Sequence, residues 1–208
     1  MSKETTMDLT TGSPIDQRFL FSIRLVLGTI FQQLYSFADT VIVGRFIGVS
    51  ALAAVGTTYS LNFLILGFVQ GLCVGFGILI SQSFGAHDRK ELQTFFVNGV
   101  ILAVVIGAVL TVATVLTPED ILGMAVDYIR IIFLGIPATM LYNYSASTLR
   151  GVGDSKHPFY FLFFSSVLNI VLDYIFIVPM NGGVAGAAWA TVISQLISGI
   201  LDMYWLLF

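Results

Sequence analysis

The sequence predicts an all-α membrane protein, a six-transmembrane-helix bundle. Three observations carry that expectation. Hydrophobic residues make up 57% of the 208-residue chain and charged residues only 10%, against roughly 25% charged in an ordinary soluble domain. So few charges cannot cover a water-facing surface, and the bilayer is the expected partner of this chain. The apolar residues fall into six long runs, each about the 20 residues or more that cross a hydrocarbon core as a helix. None of these runs sustains the in–out alternation of a barrel strand.

The segments follow in order. Residues 1–18 are polar and lack the basic start and short apolar run of a cleaved leader, so they read as a cytoplasmic N-terminal segment. Membrane spans are expected at about 19–43, 51–81, 92–116, 121–149, 159–178 and 184–208. The second span carries Gly67, Gly71 and Gly75, a spacing that lets helix backbones approach closely in lipid. The fourth contains Pro137, which is expected to kink it. The sixth opens on Gly183, Gly186, Ala187 and Ala190, again at helix-contact spacing. Lys3, Arg18, Arg89, Lys90, Arg150 and Lys156 fall in connectors on one side, and only Arg45 on the other. The bias of basic residues toward the cytoplasm then predicts a multi-pass plasma-membrane protein (the inner membrane in a cell with two) with both termini inside.

Composition also narrows the chemistry. A net charge of −3 and no long basic run argue against nucleic acid as a partner. Cys73 is the only cysteine, so no intrachain disulfide can form, and it reads as a small packing residue. His87 and His157 sit in polar connectors and read as two solvated side chains. Arg24, near the inner end of the first span, reads as a residue that snorkels to the headgroups. Asp202, near the inner end of the sixth span, has no role assignable from its position. No cofactor is expected.

Charges inside a membrane mark function by default. Asp39 and Asp173 each lie a few residues before the outer end of a span, roughly 6–8 Å deep at 1.5 Å per residue. Gln32, Tyr35, Ser36 and Asp39 recur at 3- and 4-residue steps on the first span. Ser165, Asn169 and Asp173 do so on the fifth, and Thr191, Ser194, Gln195 and Ser198 on the sixth. The carboxylates of Asp39 and Asp173 with the carboxamide of Asn169 and the hydroxyl of Thr191 offer oxygen ligands at one depth. Such a set suits sodium at Asp39, Asn169 and Asp173, and a carboxyl there can carry a proton instead. Gln32, Tyr35, Ser36, Ser165, Ser194 and Gln195 are the expected cavity-lining residues.

The stretches Gln32–Arg45, Ala51–Gly56, Ile80–Ala86, Leu149–Pro158, Leu168–Tyr174 and Gly183–Thr191 together resemble the multidrug and toxic compound extrusion (MATE) family of efflux transporters. The resemblance runs through nearly the whole chain in order and corresponds to the amino-terminal six-helix lobe. It implies one lobe of a twelve-helix MATE-type transporter, a secondary active exporter exchanging sodium ions or protons for cationic, amphipathic drugs. The acidic site of that lobe matches Asp39 and Asp173, and its asparagine and threonine match Asn169 and Thr191. The sequence departs from the family in lacking the proline usual near Arg24. It also has a short connector around 117–120 and ends inside the sixth span. The chain therefore reads as a truncated half-transporter whose partner is a second six-helix lobe or a second copy.

Other functions fit less well. A lipid-linked oligosaccharide flippase of the same superfamily would favour cationic cavity residues over an acidic pair. A non-transporting membrane assembly subunit would need no intramembrane acids. Gly151-Val-Gly-Asp154 echoes the string of intramembrane aspartyl proteases, but it falls in a connector beside Arg150 and Lys156, so no enzyme is expected.

Overall fold

The computed structural model describes residues 14–115 and 124–207. They form seven α-helices: α1 (Pro14–Phe46), α2 (Val49–Gly85), α3 (Arg89–Val115), α4 (Met124–Leu134), α5 (Ile136–Gly151), α6 (Lys156–Ile177) and α7 (Gly183–Leu207). No strand occurs among the described residues. The connector at 117–120 and Lys3, both used in the sequence reading, lie outside them. The first helix begins at Pro14, ahead of the span start expected at 19. With no internal proline, α1 runs unbroken for 33 residues.

Among the described residues five helices are long and apolar enough to cross a membrane. The fourth apolar run is divided instead, into α4 and α5, and neither half reaches spanning length alone. The expected kink at Pro137 is the cause. A proline cannot donate to the carbonyl four residues before it, and its ring crowds that carbonyl. The carbonyl in question, that of Phe133, accepts a hydrogen bond from the Thr111 hydroxyl of α3 at 3.2 Å. The break at Gly135 is therefore satisfied from outside the helix. Helical bonds from Gly135 to Ile131 and from Thr139 to Gly135, both 3.0 Å, carry the chain direction across the joint.

The turns are tight. Gly48 has φ of 116°, in the region that glycine alone adopts without strain, so only two residues separate the end of α1 from the start of α2. Asp88 caps α3 by accepting from the Lys90 and Glu91 amides at 3.0 and 2.9 Å. Asp154 does the same for α6, accepting from the Lys156 and His157 amides at 3.0 and 3.2 Å.

The short α5 is the centre of the bundle, packed against α7, α2 and α3, while α1 leans chiefly on α6. Half of the spanning part of α7 is buried but only 11% of that of α1, so α1 presents most of its surface outward. Core side chains are Ile136, Met140 and Tyr144 of α5 against Cys73 and Ile80 of α2. Cys73 is fully buried, as its packing role requires. Gly199 lets α7 touch α5, since a Cβ there would lie 2.8 Å from the Tyr142 nitrogen. Gly67, Gly71 and Gly75 differ: nothing lies within 4 Å of a Cβ placed at any of them. Their stripe faces out of the bundle rather than onto a neighbouring helix. The outer surface carries Phe37, Phe63 and Val104, each about two-thirds exposed or more, which suits lipid and not water.

Candidate functional site

Three helix faces meet between α1, α6 and α7. On α6, Ser165, Asn169 and Asp173 are all buried, with exposures of 7%, 2% and 0%. Their four-residue steps keep them on one face, and that face packs on both α7 and α1. Ser165 donates to the Ser194 carbonyl at 2.8 Å, and Asn169 reaches the Thr191 hydroxyl with its amide at 3.4 Å. Ser194 donates to the Ala190 carbonyl at 2.7 Å. Thr191 thus lies at the level of Asn169, one helical turn from Asp173.

On α1, Asp39 is half-buried and lies within electrostatic reach of Asp173. Tyr35 lies within hydrogen-bonding reach of Gln32 and Gln195. Gln32, Tyr35, Ser165, Asn169, Thr191, Ser194 and Gln195 line one small cavity together with Tyr142 and Leu162. Its free volume of about 10 Å³ matches roughly one water molecule.

Ser36 also lies within hydrogen-bonding reach of Tyr35 but does not line this cavity. It is exposed, and its hydroxyl donates to its own Gln32 carbonyl at 3.1 Å. At about 100° per residue, Ser36 stands about 40° to one side of Gln32 while Tyr35 stands about 60° to the other. The bundle lies on the Tyr35 side.

The aspartates are unusual in what they lack. Neither oxygen of Asp173 has a hydrogen-bond partner, nor has Oδ1 of Asp39 or Oδ1 of Asn169. Buried polar oxygens are nearly always satisfied. Four orphaned oxygens on adjoining faces of α1 and α6 form an electron-rich set for a cation or a proton. Among the described residues no group of three or more His, Cys, Asp or Glu side chains is placed to hold a metal.

The sequence reading missed three residues here. Thr139 donates to Oε1 of Gln195, and Asn143 returns to the Thr139 carbonyl at 2.8 Å. Their four-residue spacing is the same polar signal used on the other helices. Tyr128 is buried within electrostatic reach of both Asp39 and Asp173. Nothing in its local sequence distinguishes it from an interfacial tyrosine.

The opposite end of the bundle corrects one expectation, that for His157. Arg24 turns inward, toward the Ser155 hydroxyl at 3.4 Å. His157 is largely buried, not solvated: its Nδ1 meets Asp154 at 2.6 Å and its ring stacks on Trp205 at 3.9 Å. A larger cavity of about 390 Å³ opens here between α1 and α2, lined by Arg24, Gln32, Gln70, Tyr142, Asn143, Arg150 and Ser155 among others.

A model of the MatE family matches residues 25–175. The chain is 38% identical over 202 residues to a probable multidrug resistance protein, YoeA, of Bacillus subtilis, covering 90% of this chain and 43% of that protein. A second Bacillus subtilis protein, the probable multidrug resistance protein YpnP, is 32% identical, covering 96% of this chain and 47% of that one. Among solved structures, an outward-facing multidrug resistance MATE family transporter superposes with a TM-score of 0.90 at 30% identity. The overlap covers 99% of this chain and 48% of that one. The chain spans about half the length of the relatives it matches.

Proposed function

The chain belongs to the MatE family, and on that premise we propose that it is one six-helix half of a secondary active exporter of cationic, amphipathic drugs. Asp39, Asn169, Asp173 and Thr191 form the coupling site, and sodium ions or protons are the ions exchanged. The single observation that carries this reading is the set of orphaned oxygens on Asp39, Asn169 and Asp173. Two carboxylates in a poorly solvated site repel each other, and a bound cation or proton removes that cost. Neutralising the pair lets α1 and α6 close on each other and lowers the attraction of the lobe for a drug cation. Gln32, Tyr35, Ser165, Ser194 and Gln195 hold the polar lining through which the ion reaches the site. The protein needs no further cofactor and performs no covalent chemistry.

Pairing with a second six-helix half, either another lobe or another copy, belongs to the proposal. Alternating access in two-lobe carriers moves one half against the other. Gln33 is exposed on α1, and an amide facing hydrocarbon is costly. The proposed orientation has both termini in the cytoplasm of a plasma membrane. One observation favours a second reading: Arg24 and Arg150 line the larger cavity, as an anionic lipid-linked substrate of a flippase would need.

The test is reconstitution of the chain in liposomes, with ethidium efflux driven by an imposed sodium or pH gradient and size read by cross-linking. Ion-driven efflux from a paired species, lost in Asp39→Asn and in Asp173→Asn at equal insertion, is expected. Undiminished efflux in both variants overturns the coupling site. Efflux from a monomer overturns the pairing, and transbilayer movement of an anionic lipid without ethidium efflux favours the flippase.

A further inference from the structure

Asp202 lies outside the proposed coupling site, three helical turns along α7 from Thr191. It is fully buried, and neither of its carboxylate oxygens meets a donor. One turn earlier Ser198 is equally buried, with its hydroxyl also unpaired. Two adjacent turns of one helix thus place three orphaned oxygens in the interior.

The surrounding charges are few. From α5, Arg150 acts on Asp202 electrostatically, and Tyr142 lies in range of both. From the α5–α6 turn, Asp154 is in range, but its oxygens are already taken by two amides, by His157 and by Trp205. From α6, Lys156 is exposed and His157 is occupied by Asp154. From α1, Arg24 is turned toward Ser155. From α4, Tyr128 belongs with the outer aspartates. Arg150 is therefore the cation that bears on Asp202, and it makes no hydrogen bond to it.

An ionised carboxylate sealed from water needs donors or a contact cation, and Asp202 has neither. A hard metal cation would require a shell of several oxygens, whereas three are orphaned here and the Arg150 charge opposes it. A proton needs no shell. The neutral acid has one O–H to place, and the Ser198 oxygen one turn back is an acceptor.

We propose that Asp202, with Ser198, is a second proton-carrying site of the bundle, at the end opposite the Asp39–Asp173 pair and governed by Arg150. The acid keeps its proton while Arg150 stands off. When Arg150 closes on the carboxylate, the O–H bond breaks, the electron pair stays on Asp202 and the proton passes to water in the cavity that Arg150 lines. Thr191, Ser194, Gln195, Ser198 and Asp202 step along one face of α7, so a polar seam joins the two ends. Gln32 and Tyr142 line both the small cavity and the larger one. The site stands whether or not the outer pair couples export.

The test is pH-titrated infrared difference spectroscopy of the chain in lipid nanodiscs, reading the carbonyl stretch of protonated carboxylic acids. In the Asp39→Asn/Asp173→Asn double variant, which removes any proton held by the outer pair, a band equivalent to one buried acid is expected at neutral pH and is lost when Asp202→Asn is added. Arg150→Gln should retain the band to a higher pH, because the charge that favours ionisation is gone. A band that is unchanged when Asp202→Asn is added to the double variant overturns the proposal, as does loss of the double variant's band when sodium replaces choline at constant pH. If circular dichroism shows that Asp202→Asn fails to fold, Arg150→Gln decides: an upward move supports the site and an unmoved titration refutes it.

Discussion

Asp154 shows how much one buried side chain can organise. At 1% exposure it accepts from the Lys156 and His157 amides, pairs with the His157 ring and receives the Trp205 indole N–H at 3.3 Å. It ties the start of α6 to the end of α7, linking residues 51 apart in sequence. Asp154→Ala leaves several partly buried donors unmet and is expected to cost about 2–3 kcal/mol of stability. Trp205→Phe keeps the ring over His157 but loses one hydrogen bond, at about 1 kcal/mol. Thermal unfolding in detergent checks the order, and equal losses would show that the network does not centre on Asp154. The residue scale is also where sequence reading was least secure. Helical period puts Gln32, Tyr35, Ser36 and Asp39 on one broad face of α1, of which Gln32, Tyr35 and Asp39 are half-buried and Ser36 is exposed. A period defines a face only to within its width, and the neighbours of α1 decide which edge of it is covered.

At the scale of elements, close approach separates functional glycines from incidental ones. Gly199 sits where α7 meets the backbone of α5 at Tyr142. Gly199→Val is expected to force the helices apart and cost about 1–3 kcal/mol. Gly75 has open space beside it, so Gly75→Ala is expected to be neutral or to stabilise α2 by up to about 1 kcal/mol. Melting temperatures of the two variants in one detergent test the contrast, and a loss at Gly75 as large as at Gly199 would refute it. Six apolar runs were legible because hydropathy is local. The division of the fourth run was half legible: Pro137 announced a break. What made the break tolerable was Thr111 on another helix, which local sequence does not reveal.

The whole molecule makes an orientation test simple, because Cys73 is its only cysteine and is buried. In a Cys73→Ser background, Asp88→Cys and Asn181→Cys place single thiols in the α2–α3 and α6–α7 turns, at opposite ends of the bundle. The basic bias predicts that Asn181→Cys reacts with an impermeant maleimide on intact cells and that Asp88→Cys reacts only after lysis. The reverse pattern would invert the proposed topology and place Asp202, not Asp39, at the outer end. The pairing proposal also belongs to this scale, because the chain spans about half of the relatives it matches.

The sequence by itself determined the class of the protein, its apolar runs and its family, because composition, period and motif order are properties of the chain alone. It also set Asp39, Asn169, Asp173 and Thr191 in the outer half of their expected spans, since depth along a helix is counted in residues. Only the tertiary structure decided which faces are covered. It turned the α2 glycine stripe outward, drew Arg24 and His157 inward and sealed Asp202 at 0% exposure. These outcomes depend on which helix lies beside which, and burial of a polar group is a property of its neighbours rather than of its own position in the chain.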